Sequence, residues 1–329
     1  MIEYTPKNIM DWTRMGMRSA FGFFMKEIAE EHSNLVVLAA DLASSSGLTE
    51  FQKCFPEKFY NIGIAEQNMT AIAAGLAKEG SNVFITSFAP FVSMRNYEAI
   101  RTLVGYMHMN VKIVALASGF SLGVQGNTHY CLEDISLMKT IPGMRIFSPA
   151  DVVEESMCLK YLADYEGPAY LRLTGTNGSP AVFKADYEFH PEEPYGLKDS
   201  GDVLILSTGS VVSECLRACR LLNKENISCG VYSCCQLKPF NADFLRKKAE
   251  SVKLIAVVEE HFRTGGLGGI VCEEICAMPR QKPVLRIGID DVFPKAGDYT
   301  YLLNETGLSA AKIAGVVSER FREICAEVE

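Results

Sequence analysis

The chain has 329 residues, 48% of them apolar, which is enough for two domains of ordinary size with substantial cores, and its 22% charged residues exclude a disordered or fibrous chain. A net charge of −8 argues against nucleic acid as the main partner, because phosphate binding needs a basic surface. No run approaches the roughly 20 apolar residues of a membrane span, and Met1–Trp12 carries Glu3 and Asp11 without a signal-peptide core, so a soluble, cytoplasmic protein is expected.

Short apolar runs alternate with helical patterns from the start. Leu35–Ala40, Val83–Thr86, Val111–Ala117, Arg145–Ser148 and Ala169–Leu173 read as buried strands. Met15–Glu31, Glu66–Lys78, Phe91–Val104, Leu132–Thr140 and Val152–Ala163 read as helices, the first with Met17, Phe21, Phe24, Met25 and Ile28 on one side. Residues 184–202, KADYEFHPEEPYGLKDSGD, change texture and read as a linker. Strands then resume at Val203–Ser207, Ser228–Tyr232, Leu254–Val258 and Val284–Ile287. Helices follow at Ser210–Asn223, Ala242–Ala249, Leu267–Ala277 and Ser309–Ala326. This alternation predicts an α/β protein of two tandem domains, 1–185 and 202–329, joined by a linker at 186–201. Each domain is expected to be a mostly parallel sheet covered by helices. The eleven cysteines are scattered; Cys215/Cys219 and Cys272/Cys276 have a spacing that could hold a metal, but small buried hydrophobes in a reducing cytosol are the plainer reading.

The chemistry concentrates in three segments. In FYNIGIAEQNMTAIAAGLAKEG, Glu66 opens a helix with almost no polar face, so the helix should be buried and the carboxylate should need a partner or a proton. By itself this also fits an acid answering a helix dipole. In ITSFAPFVSMRNYEAIR, Phe88 and Phe91 stand three apart, as core residues also do. In GVQGNTHYCLEDISLMKTIPGMRIFSPAD, His129 follows a Gly-rich loop.

Together these segments resemble the transketolase group, which includes deoxyxylulose phosphate synthase. The resemblance implies a thiamine diphosphate-binding fold pyrimidine domain followed by a transketolase C-terminal domain. It implies that Glu66 binds the ring nitrogen of the thiamine aminopyrimidine and promotes the imino tautomer that deprotonates the thiazolium. Phe91 then stacks on that ring, Phe88 lines its pocket, and Met94 stands where several transketolases have a third aromatic. His129 is the implied active-site histidine that contacts substrate oxygens. Arg172, in PAYLRLTG, matches an arginine that binds substrate phosphate. Asp41 and Leu42 match the strand end bordering the thiazolium and diphosphate. Two positions depart from the pattern. Gln125 replaces an aspartate that contacts a donor hydroxyl, and Ala117 stands where a substrate-holding histidine is expected. Both departures put the ordinary ketose phosphate substrate in doubt. VVEEHFRTGGLGG, around Glu259, Glu260 and His261, resembles the C-terminal domain of the family, which stabilises the dimer.

The family's first domain, which holds the diphosphate through Mg²⁺ and is marked by G-D-G, has no counterpart: Gly201-Asp202 and Gly297-Asp298 are the chain's Gly-Asp pairs and neither continues with Gly. The resemblance therefore implies the C-terminal subunit of a split transketolase. A separate N-terminal subunit would supply the diphosphate and Mg²⁺ site, this chain would supply no metal ligand, and an α2β2 assembly would act on sugars or sugar phosphates. Two alternatives remain open at this level: the β subunit of a 2-oxoacid dehydrogenase decarboxylase, and a non-catalytic paralogue.

Overall fold

A computed structural model describes residues 2–199 and 201–326. The apolar runs form the strands β1 Leu35–Ala39, β2 Phe59–Asn61, β3 Asn82–Phe88, β4 Val111–Leu116, β5 Arg145–Phe147, β6 Ala169–Arg172, β7 Tyr195–Lys198, β8 Val203–Ser207, β9 Cys229–Ser233, β10 Gln236–Lys238, β11 Leu254–Phe262 and β12 Val284–Ile289. The helices are α1 Pro6–Met15, α2 Met17–Glu31, α3 Thr49–Cys54, α4 Glu66–Lys78, α5 Ala89–Ser93, α6 Tyr97–Ala99, α7 Asp134–Lys139, α8 Val152–Asp164, α9 Val212–Lys224, α10 Ala242–Ser251, α11 Leu267–Cys276, α12 Tyr299–Glu305 and α13 Ala310–Ala326.

Two sheets result, one ordered β10-β5-β6-β4-β3-β1-β2 and one ordered β12-β11-β8-β9-β7. Within the first, β5-β6-β4-β3-β1-β2 are parallel, and β3, β4 and β6 are almost wholly buried, as strands covered on both faces must be. One face carries α1, α2 and α8, with Phe21, Phe24 and Met25 fully buried. The core on the other face, with Met69, Ala73, Ile135 and Met138, runs on without a break into Leu204, Val257 and Leu267 of the second sheet unit.

The structure departs from the sequence reading in four places. The first expected helix, 15–31, is preceded by one that the pattern did not announce, α1, from which Gly16 separates it with φ 73° and ψ 156°, a conformation that favours glycine; Thr5 and Pro6 start α1. The expected helix 91–104 is interrupted at Arg95 and Asn96 and resumes as a π-helical stretch over Ile100–Tyr106. Those two residues reach across to α4, Arg95 to Glu66 and Asn96 to Thr70. The stretch expected as a linker is not structureless at its end, because β7 lies inside 186–201 and pairs antiparallel with β9. The residues just before it are tied down by Asp151, which caps α8 through Val153 and Glu154 with one oxygen and accepts from Val182 and Phe183 N–H with the other. Finally, β10 leaves the second unit and pairs antiparallel with β5, so the two units share a sheet.

Candidate functional site

The candidate residues gather at the carboxyl ends of the parallel strands, where an open α/β sheet presents its loops. Gly63, with φ 78°, turns the chain from β2 into α4. Asn61 pins this turn: its Oδ1 accepts from the N–H groups of Asp41 and Gly63, and its amide donates to the Asp41 carboxylate at 3.2 Å. Asp41, itself at φ 58°, is exposed at the end of β1, with Leu42 half-buried beside it.

Glu66 is the first residue of α4 and its side chain is only 2% exposed. Ser87 Oγ donates to Oε1 at 3.1 Å, and Arg95 Nη1 donates to Oε2 at 3.0 Å. The buried charge thus has the hydrogen bonds and the counter-ion it requires. Arg95 is 48% exposed, and its guanidinium lies over the Phe91 ring at 4.6 Å. Phe88 and Phe91 have ring centroids 6.3 Å apart. The His129 ring stands edge-on to both, at 5.5 Å from Phe91 and 6.3 Å from Phe88. Thr128 Oγ1 lies 2.9 Å from His129 Nδ1 and orients the imidazole. Gln125 and Met94 are exposed at the rim.

Ala117, with φ 56°, directly follows β4 on the wall of a cavity of about 240 Å³ that Arg18, Ser121, Gly175, Thr176 and Asn177 also line. Arg18 is half-buried and forms no ion pair among the described residues. The sequence reading missed it, because an arginine within an amphipathic helical pattern looks like a solvated face residue.

Arg172 requires a correction. It was expected to bind substrate phosphate, yet it is fully buried. Its Nε donates to both Asp134 oxygens at 2.9 and 3.0 Å, and its Nη2 to the carbonyls of Glu260 and Cys131 at 2.7 and 3.3 Å. Tyr170 OH adds a bond to Asp134 at 2.9 Å. The strand direction that ended β6 in arginine aims the side chain inward, between the two units and away from the cleft. The buried-helix expectation for α4 is also half right. Met69, Thr70, Ala73 and Ala74 are buried, but Ala71, Ile72 and Gly75 face outward, and neighbouring Ile64 is 75% exposed.

Comparison with known proteins decides the family. The model of the transketolase pyrimidine-binding domain matches residues 13–179, and that of the transketolase C-terminal domain matches residues 196–313. The chain belongs to the transketolase family. A Methanocaldococcus jannaschii protein provisionally assigned as a transketolase C-terminal section is 38% identical over 94% of this chain and 97% of its own length. A subunit of the apulose-4-phosphate transketolase of Phocaeicola vulgatus is 36% identical over 83% of this chain and 87% of its own length. Among solved structures, a split-gene transketolase described as an inactive β4 tetramer superposes with a TM-score of 0.82 at 36% identity, covering 92% of this chain and 97% of that one.

In this transketolase-family chain the glycine-rich turn before α11 is not an open anion site. The Glu259 carboxylate already accepts from Leu267 and Gly268 N–H at 2.6 and 2.8 Å and so satisfies the helix N-terminus. His261 packs across the units, with Nε2 3.4 Å from Ser136 Oγ. The cysteines are free thiols.

The residues present suit the aminopyrimidine half of thiamine diphosphate. A buried carboxylate for a ring nitrogen lies beside Phe88 and Phe91, which offer a partly open aromatic corner for a flat heterocycle. Among the described residues, no group of three or more His, Cys, Asp or Glu side chains is placed to hold a metal ion.

Proposed function

We propose that this chain is the C-terminal subunit of a two-component, thiamine diphosphate-dependent transketolase-like enzyme that transfers a two-carbon ketol unit between sugars or sugar phosphates. One observation carries the reading: the buried Glu66 carboxylate is joined, through Arg95, to the Phe91 ring of the corner made by Phe88, Phe91 and His129. Thiamine diphosphate, when bound, supplies the nucleophilic carbon that carries the ketol unit. Glu66 hydrogen-bonds the aminopyrimidine ring nitrogen and exchanges a proton there. Phe91 stacks on the ring, Phe88 closes its pocket, and Asp41 and Leu42 border the cofactor's other end. Arg95 now covers Phe91 and pairs with Glu66, so it is the group that yields when the ring enters. His129 sits where it can hold substrate oxygens and pass a proton to one of them, and Gln125 meets the donor's hydroxyls from the rim.

The diphosphate and Mg²⁺ belong, in this reading, to a separate N-terminal subunit in a cytoplasmic α2β2 assembly. The outward apolar face of α4 and Ile64 supports a covering partner there. The cavity beside Ala117 takes the phosphate end or a bulky group of the sugar, with Arg18 as the cation in the role first given to Arg172. Gln125 and Ala117 replace polar groups that an ordinary ketose phosphate would use, which favours a specialised sugar. The apulose-4-phosphate transketolases among the relatives are in keeping with that.

The test is exchange of the thiazolium proton in the complex with the N-terminal subunit. Glu66→Gln should slow it on the order of a hundredfold or more and leave the melting temperature of the chain in place. Unchanged exchange would return Glu66 to a purely structural role.

A further inference from the structure

The loop 117–131 leaves β4 and carries both Gln125 and His129. Its conformation is not self-sufficient. Ala117 and Gly119 both have positive φ, at 56° and 65°, and four of the loop's hydrogen bonds cross to the C-terminal domain. The main anchor is Glu260, on β11, which is 1% exposed. Its Oε1 accepts from Phe120 N–H at 2.5 Å. Its Oε2 accepts from Tyr299 OH at 2.6 Å and from Ser210 Oγ at 3.3 Å. The fit is close enough that a Cβ on Gly119 would stand 2.2 Å from Oε1. Three further bonds hold the rest of the loop to residues 294–297. Asn127 Nδ2 donates to Pro294 O at 2.8 Å, and Gly297 N–H donates to Gly123 O at 3.2 Å. The Tyr130 hydroxyl lies 2.6 Å from Gly123 O and 3.0 Å from Lys295 O.

We propose that Glu260 is a positioning residue for the substrate loop. From the C-terminal domain it fixes the backbone at Phe120, and through it the placement of Gln125 and His129 against Phe91. The hydrogen bonds of the Glu260 carboxylate go to Phe120, Ser210 and Tyr299 and none to Glu66 or His129, so its influence passes through the loop. A hydrogen bond onto a carboxylate is strong, and deleting the acceptor leaves a buried N–H unpaired, so the loop is the element that relaxes. The C-terminal domain is thereby part of how the site is shaped, beyond its contribution to assembly.

The proposal rests on reading 117–131 as the substrate loop. Hydrogen–deuterium exchange on the isolated chain tests the positioning with no partner, cofactor or substrate. Glu260→Ala should raise exchange in peptides spanning 118–131 by on the order of tenfold, with the strands β3, β4 and β8 unchanged. Glu260→Gln, which keeps an acceptor oxygen, should restore most of the protection. Should the alanine variant fail to fold, Tyr299→Phe removes a donor that orients the carboxylate and should give a smaller rise confined to the same peptides. A uniform rise across the chain, or none at 118–131, overturns the proposal. Separately, unaltered turnover of His129→Ala in the assembled enzyme would remove the substrate-loop reading while leaving the exchange result intact.

Discussion

Replacing Arg172 by Met distinguishes a buried structural arginine from a substrate ligand. In the structure its guanidinium neutralises Asp134, which is likewise fully buried, and occupies the carbonyls of Cys131 and Glu260. Removing one member of a buried pair costs roughly 3–5 kcal/mol, because the partner is left charged and dry. Tyr170 OH still donates to Asp134 in the variant, which places the expected loss at about 3–4 kcal/mol, or roughly 6–16 °C of melting temperature for a domain of this size. Arg172→Met combined with Asp134→Asn removes both charges and keeps the acceptor for Tyr170, and it should recover at least half of that loss. Calorimetry and circular dichroism on the isolated chain read both numbers. A single variant that melts within about 2 °C of wild type, together with a lost affinity for phosphorylated sugars in the assembled enzyme, would refute the argument and return Arg172 to the cleft.

Two further outcomes follow from the same geometry. Arg18→Ala should raise KM for a phosphorylated substrate by roughly 10–100-fold, the equivalent of a lost charged hydrogen bond, with kcat and the melting temperature little changed; an unaltered KM would take the phosphate out of that cavity. Glu155 is fully buried with both carboxylate oxygens unpaired, and burial, with Asp151 adding to it, pushes its carboxyl well above the ordinary 4.5. The folded state then holds a proton that the unfolded chain releases, so this group's contribution to stability is intact below pH 4.5 and declines as pH rises towards the folded value, by about 1.4 kcal/mol per unit. Glu155→Gln should therefore melt above wild type at pH 8 and converge with it near pH 4.5; a gap independent of pH would show that the acid is not isolated.

Much of the architecture is legible in local pattern. A strand buried on both faces is rich in apolar residues, so β1, β4, β8 and the first half of β11 announce themselves in spite of the buried Lys112 in β4, and the α2 stripe from Met17 to Ile28 names its own buried face. Elements with little periodicity are not announced. The three-residue strands β2 and β10 are too short to carry a pattern, and β10 exists only because the second unit folds back onto β5. The break at Arg95 and Asn96 is likewise invisible locally, since the partners that cause it, Glu66 and Thr70, lie on another helix.

The sequence alone determined the alternation of strands and helices, the acid at the start of α4 and the residue types suited to a flat heterocycle, because those depend on neighbours along the chain. Direction and burial of individual polar side chains depend on neighbours in space. Arg18 and Arg172 are the clearest pair. Both are arginines near the ends of regular elements, and nothing in their local sequence separates them. The tertiary structure turns one toward a cavity beside Ala117 and the other onto Asp134, between the sheets. A buried guanidinium is tolerable only where a carboxylate and carbonyls converge on it, and that convergence of β6, α7 and β11 exists only once the two domains have packed.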